Sequence, residues 1–165
     1  SSTSQVSPSL RVVFDVNVWA SALLGPSTEF PFLPTVPPTG ANSSADCLSL
    51  AFDGDRFSVF ISPHIIENLS RILVHSGISR SLAARAIEDV VDIVHLSQGS
   101  VVEPRRIANQ QSDFEDNLIL DLVLDTGSEV LVTRDSELLA ASGFKGAAMV
   151  HPSSFVQLAL TIPPR

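Results

Sequence analysis

Two aspartates each follow a short apolar run rich in β-branched residues. Asp15 closes Leu10-Arg11-Val12-Val13-Phe14, and Asp135 follows residues 129–132 with only Thr133 and Arg134 between. Such runs read as buried strands, and in open parallel sheets ligands bind beyond the carboxyl ends of the strands. If the two strands are neighbours, the two carboxylates converge. Like charges about 4 Å apart repel by roughly 4 kcal/mol at an effective dielectric of about 20, so the pair calls for a cation between them. Hard oxygen ligands in such a position suit Mg²⁺ or Mn²⁺. Taken singly, each Asp has a plainer use as the N-cap of the helix that follows. Their occurrence together at equivalent strand ends favours a site.

Two more acidic groups need weighing. Asp113-Phe114-Glu115-Asp116-Asn117 crowds the start of an otherwise apolar helix. Acids there are favoured by the helix dipole alone, and Asp113 with Asp116 can form a local capping arrangement. Glu67 lies on a helix opened by Ser62-Pro63, whose apolar stripe is Ile65, Ile66, Leu69, Ile72 and Leu73. It points away from the centre of that stripe, which on periodicity alone is a surface position. Other chemistries fit less well. Neither a Walker loop nor Gly-x-Gly-x-x-Gly occurs, nor a Gly-x-Ser-x-Gly elbow. His64, His75, His95 and His151 have no zinc-like spacing with Cys47.

The elements that must position these residues alternate along the chain. Strands are expected at 10–14, 57–61, 129–132 and 147–150, with a short one around Val101-Val102. Helices are expected at 18–24, 45–52, from Pro63 onward, and at 79–96, 113–125, 136–141 and 152–160, with Gly127 stopping the fifth. That alternation predicts an α/β fold of three layers, α/β/α, with a mainly parallel central sheet. One domain is expected over 10–162. Residues 26–44, with Pro31, Pro34, Pro37 and Pro38, read as a loop insertion near the mouth of the site. Residues 1–9 read as a disordered or expression-derived lead.

Composition sets bounds. A chain of 165 residues that is 44% hydrophobic suits one domain with one core. No apolar run approaches the roughly 18–20 residues that span a bilayer, so no membrane partner is expected. Residues 1–9 lack the basic and apolar regions of a signal peptide. The single cysteine, Cys47, excludes a disulfide within the chain, which fits a cytoplasmic location, and it is expected to be buried. The net charge of −8 counts against nucleic-acid binding by long-range attraction. Divalent cations held by converging carboxylates would reverse the sign locally.

The order of the pieces resembles a PIN domain. Val12-Val13-Phe14-Asp15-Val16-Asn17-Val18 is similar to the family's opening strand with Asp-Thr-Asn. Val59-Phe60-Ile61-Ser62-Pro63 through Glu67 to Leu73 is similar to its second strand and Glu-bearing helix. Asp113 to Leu120 and Val130-Leu131-Val132-Thr133-Arg134-Asp135-Ser136-Glu137-Leu138-Leu139 follow, and Met149 to Phe155 closes the series. The likeness spans about residues 10–160 and rests on order and spacing together. It implies Asp15, Glu67, Asp116 and Asp135 as the acidic catalytic site, with Asp15, Asp116 and Asp135 holding Mg²⁺ or Mn²⁺. Asn17 and Thr133 would support that site. Within the family the arrangement most resembles the VapC-type toxins, which are metal-dependent ribonucleases usually silenced by an antitoxin and often dimeric. An RNA substrate, an antitoxin protein and a homodimer are therefore the partners this likeness implies. Val16 departs from the pattern by replacing the usual Thr, and Asp113, Glu115 and Asp116 leave the third carboxylate open.

The expected chemistry is metal-assisted phosphodiester hydrolysis, with Arg134, Arg71 and His64 as candidate RNA contacts. Each of those three, taken alone, reads first as ordinary solvated surface. Two other functions compete. Acidity and Val16 suit a non-catalytic PIN-like module that binds RNA or protein. A phospho-acceptor receiver domain also places acids at strand ends. It would need an acidic pair after the first strand and a Lys closely following a late strand, whereas Lys145 precedes residues 147–150.

Overall fold

The computed structural model describes residues 10–24, 40–106, 114–141 and 143–164. The side chains of residues 114–116 fall outside that description, as do the expected lead at 1–9, residues 26–39 of the Pro-rich stretch and the Asp113 cap.

The strands are β1 (Leu10–Phe14), β2 (Phe57–Phe60), β3 (Val130–Val132), β4 (Gly143–Phe144) and β5 (Ala147–Val150). They form one sheet in the order β2-β1-β3-β5-β4. β1 lies between β2 and β3 and is parallel to both, with Val12 opposite Val59 on one side and Phe14 opposite Val132 on the other. β5 is parallel to β3. The mainly parallel sheet therefore forms as the alternating pattern predicts. β4 is antiparallel and was not expected. Two residues carry no readable period, and the hairpin depends on Lys145 and Gly146, both at positive φ (49° and 90°), as a two-residue turn between antiparallel strands requires.

Around the sheet run α1 (Val16–Leu24), α2 (Ser43–Asp53), α3 (Pro63–His75), α4 (Arg80–Leu96), α5 (Phe114–Thr126), α6 (Ser136–Ala141) and α7 (Pro152–Leu160). α1, α2, α3, α4 and α7 pack on one another, while α5 contacts β1 and α6 contacts β5, completing the three-layer α/β/α arrangement. α2 begins at Ser43, earlier than the expected 45, because Asn42 Oδ1 accepts the amides of Ser44 and Ala45 at 3.1 and 3.2 Å. At α3, Ser62 Oγ accepts the Ile65 amide at 3.2 Å and Pro63 stands just inside the helix, as its sequence foretells. No described helix is long and apolar enough to cross a membrane.

The core beneath the carboxyl end of β1 is aromatic. Phe14 lies 5.4 Å from Trp19 and 5.9 Å from Phe155 between ring centroids, and Phe57 lies 4.9 Å from Phe155. All four side chains are fully buried, so β1, α1, β2 and α7 are locked together one residue below Asp15. Cys47 is buried here too, its Sγ 3.6 Å from Pro152 O. Burial first, and Asp46 second, push its thiol pKa up.

The outer side of β2 is covered. Ser97 Oγ accepts the Val59 amide at 2.9 Å, Ile61 donates to Ser100 O at 3.2 Å, and Val102 donates to Ile61 O at 2.8 Å. The strand expected at Val101-Val102 is thus a single bridge from Val101 to Ile61. Gly99 permits this closure, since a Cβ there would fall within 1.6 Å of Val59 O.

Candidate active site

Because β1 and β3 are hydrogen-bonded neighbours pointing the same way, Asp15 and the Thr133-Arg134-Asp135 segment emerge at the same edge of the sheet. The Asp15 amide extends the ladder by one bond, donating to Val132 O at 2.9 Å. The buried Thr133 hydroxyl then ties the two segments together. It donates to Asp15 Oδ2 at 2.8 Å and accepts the Asp135 amide at 3.0 Å. Asn17 adds a second tie, its Nδ2 donating to Asp15 Oδ2 at 3.2 Å and its Oδ1 accepting the Arg134 amide at 2.9 Å. The Val16 amide donates to Asp15 Oδ1 at 2.8 Å.

Asp15 is thus held by neutral donors, and among the described residues it forms no ion pair. Its carboxyl pKa is raised from the ordinary value of 3.8. Burial is the largest cause; the hydrogen bonds from Thr133 and Val16 oppose it, and the charge of Asp135 adds to it. A desolvated carboxylate facing a second acid, with no described cation between, is a donor set that a hard divalent cation satisfies. Asp135 also has the plainer role expected of it, since its Oδ1 accepts the Glu137 amide at 2.8 Å at the start of α6. Capping occupies one oxygen and leaves the charge in place.

A family model of the PIN domain matches residues 11–137. The chain belongs to the PIN-domain family. The match opens on β1 and closes just past Asp135, so it encloses Asp15, Glu67, Asp116 and Asp135. PIN domains are generally nucleases and typically use divalent metals. No curated protein matches the sequence significantly.

The other two acids of this PIN domain are less tightly placed. Asp116 lies in the first turn of α5, and its side chain is outside the described residues. Glu67 stands exposed on α3, and its carboxylate meets Arg71 at 3.4 Å. Among the described residues no three acid, histidine or cysteine side chains converge as a metal cage. The structure therefore brings Asp15, Asn17, Thr133 and Asp135 together and leaves Glu67 turned to its helical neighbour.

Arg134 is fixed at both ends. Its amide is held by Asn17, and its guanidinium donates to Ser44 Oγ on α2 at 3.2 Å. Its charge also reaches His151, behind β5, whose pKa is lowered first by burial and then by Arg134. Sequence reasoning missed Ser44 and His151. His151 carried one signal, since it directly follows β5 as Asp15 directly follows β1. Of the other candidate RNA contacts, His64 Nε2 lies 3.0 Å from Asn68 Nδ2, and Arg71 is engaged by Glu67 and Asn68.

Proposed function

We propose that this PIN domain is an Mg²⁺- or Mn²⁺-dependent endoribonuclease. The observation that carries this reading is the Thr133 hydroxyl tying Asp15 to the Asp135 segment at the carboxyl edge of two neighbouring parallel strands. Asp15 and Asp135 would hold the metal with Asp116, and Glu67 would join them by leaving Arg71. The bound metal would supply a water of lowered pKa and charge stabilisation at the scissile phosphate. Thr133 and Asn17 aim Asp15, and their donors favour its charged form in opposition to the burial that raises its pKa. Arg134, steadied by Asn17 and Ser44, would meet an RNA phosphate.

The toxin half of a toxin–antitoxin pair remains the closest role by family likeness, with an antitoxin protein as the inhibitory partner. Single-turnover cleavage of RNA in Mn²⁺ tests the catalytic reading. Asp15→Asn is expected to reduce cleavage to background, and cleavage at the parental rate would sink the mechanism. A second reading, a non-catalytic PIN module, draws support from the Glu67–Arg71 contact and from Val16. Titration calorimetry separates the two, since a module without a metal site takes up no Mn²⁺ at millimolar concentration.

A further inference from the structure

The row of strand ends does not stop at the two acids. Phe14, Val132 and Val150 are in register across β1, β3 and β5. Asp15, Thr133 and His151 follow them and stand level, because the Asp15 amide donates to Val132 O and the Thr133 amide to Val150 O, both at 2.9 Å. At about 4.8 Å per strand, His151 lies roughly 10 Å along the row from Asp15, on the side away from β2.

The half-buried ring of His151 has a fixed tautomer. Nδ1 accepts the Ser153 amide at 3.2 Å, so the neutral ring carries its proton on Nε2. Among the described residues Nε2 meets no hydrogen-bond partner. Arg134 sits beside it. Its guanidinium bonds Ser44 on α2 at 3.2 Å, and Cys47, one turn along the same face, meets Pro152 O next to His151. The Arg134 charge, after burial, lowers the His151 pKa.

Arg134 is exposed and forms no ion pair among the described residues. It donates one guanidinium N–H to Ser44 and keeps others open. A cation at the start of α2 does not serve that helix, whose dipole favours acids there. A cation lacking an acid, beside a neutral N–H lacking an acceptor, is a donor set for an anionic oxygen.

We propose that Arg134 and His151 form a subsite for an RNA phosphodiester flanking the scissile one, so that the strand leaves the metal site across the end of β5. The position of the scissile phosphate rests on the ribonuclease reading above; the donor pair does not. Arg134 supplies the attraction and the His151 Nε2–H the direction. Both address oxygens that every nucleotide carries, so the subsite sets the path of the strand and not its sequence.

Two substitutions separate the partners. His151→Ser keeps a cap for α7, as Ser62 caps α3 ahead of Pro63, and removes the ring N–H. Arg134→Ala removes the cation. In single-turnover cleavage with Mn²⁺, each is expected to raise the half-saturating concentration for a uridine oligomer by about tenfold. Arg134→Ala is also expected to flatten its logarithmic salt dependence by about 0.7, the share of one phosphate contact on a single strand. His151→Ser is expected to leave that slope unchanged, because the ring is neutral. Half-saturation at the parental value in His151→Ser overturns the proposal.

A second measurement needs neither metal nor cleavage. Millimolar inorganic phosphate is expected to shift the His151 ring resonances of the metal-free full chain, and Arg134→Ala is expected to abolish the shift. Loss of the signals in His151→Ser assigns them. Ring resonances that ignore phosphate overturn the proposal, whatever the chain cleaves. A phosphate shift joined to RNA half-saturation that ignores both substitutions assigns the pair to free phosphate and overturns the RNA path. A phosphate shift in a chain that cleaves no RNA upholds the donor pair and overturns the ribonuclease reading instead.

Discussion

The Thr133 hydroxyl touches both acids' segments at once, donating to Asp15 Oδ2 at 2.8 Å and accepting the Asp135 amide at 3.0 Å. The residue is fully buried. Thr133→Val keeps the shape and removes both bonds, leaving a buried oxygen short of a donor. It is expected to cost about 1–3 kcal/mol in urea unfolding and to weaken Mn²⁺ binding by about 10–100-fold in calorimetry. Thr133→Ser is expected to restore most of both. A Val variant with parental metal affinity would separate this hydroxyl from the proposed site.

Asp135 combines a cap with a charge, and two substitutions pull them apart. Asp135→Ala loses the bond to the Glu137 amide and is expected to cost about 1 kcal/mol. Asp135→Asn keeps the cap acceptor and removes the charge that raises the Asp15 pKa. The sign follows from that raised value. Asp15 contributes stability that is fully present below the unfolded value of 3.8 and is lost as pH rises through its higher folded pKa. Asp135→Asn brings the folded pKa down and shrinks the loss, so the metal-free variant is expected to melt at or above the parental temperature at neutral pH while Mn²⁺ uptake falls. Melting curves across the acid range, with and without chelator, check this.

His151 behaves in the opposite sense. Its Nδ1 accepts the Ser153 amide at 3.2 Å at the start of α7, which requires the neutral ring. Its pKa is lowered from 6.5 by burial and by Arg134. The stability it contributes is therefore present above 6.5 and is lost as pH falls through the folded pKa. Acidification from about pH 7 to about pH 5 is expected to lower the melting temperature of the parent more than that of His151→Ser, which caps without titrating. Parallel curves for the two proteins would show that this cap has no role in the acid response.

Two ion pairs should differ sharply in value. Arg106 Nε meets Asp121 at 3.2 Å, and the Asp121 side chain is wholly buried. Arg71 and Glu67 are both largely exposed. Arg106→Ala is expected to cost about 1–3 kcal/mol by stranding a buried charge, and Arg71→Ala to stay within about 0.5 kcal/mol. Urea titrations measure both. Arg105 with Asp125, at 2.7 Å, forms a second rung on the same helix, so the pair also fastens the segment before residue 107 to α5, the helix whose first turn holds Asp116.

The positions of Asp15 and Asp135 were legible because a buried strand writes its own end: an apolar run stops and a polar residue follows. Their adjacency was conditional on β1 pairing with β3, a non-local contact that no spacing states. Glu67 illustrates the reverse. Periodicity put it on the surface, family likeness put it at the metal, and the side chain lies exposed on Arg71. Asp121 passed unnoticed although it interrupts the apolar run 118–124, where a buried acid demands a distant base; Arg106 lies too far off in sequence to suggest itself. β4 was invisible because its two residues exist as a strand only through the turn at Lys145 and Gly146.

The covered outer side of β2 has a bearing on solution behaviour. Ser97, Ser100 and Val102 satisfy backbone groups there that would otherwise recruit a foreign strand, and the opposite border is the two-residue β4. Neither border of the described sheet offers a template long enough for cross-strand polymerisation. Crowding the folded protein should therefore not seed fibrils through the described borders of its sheet.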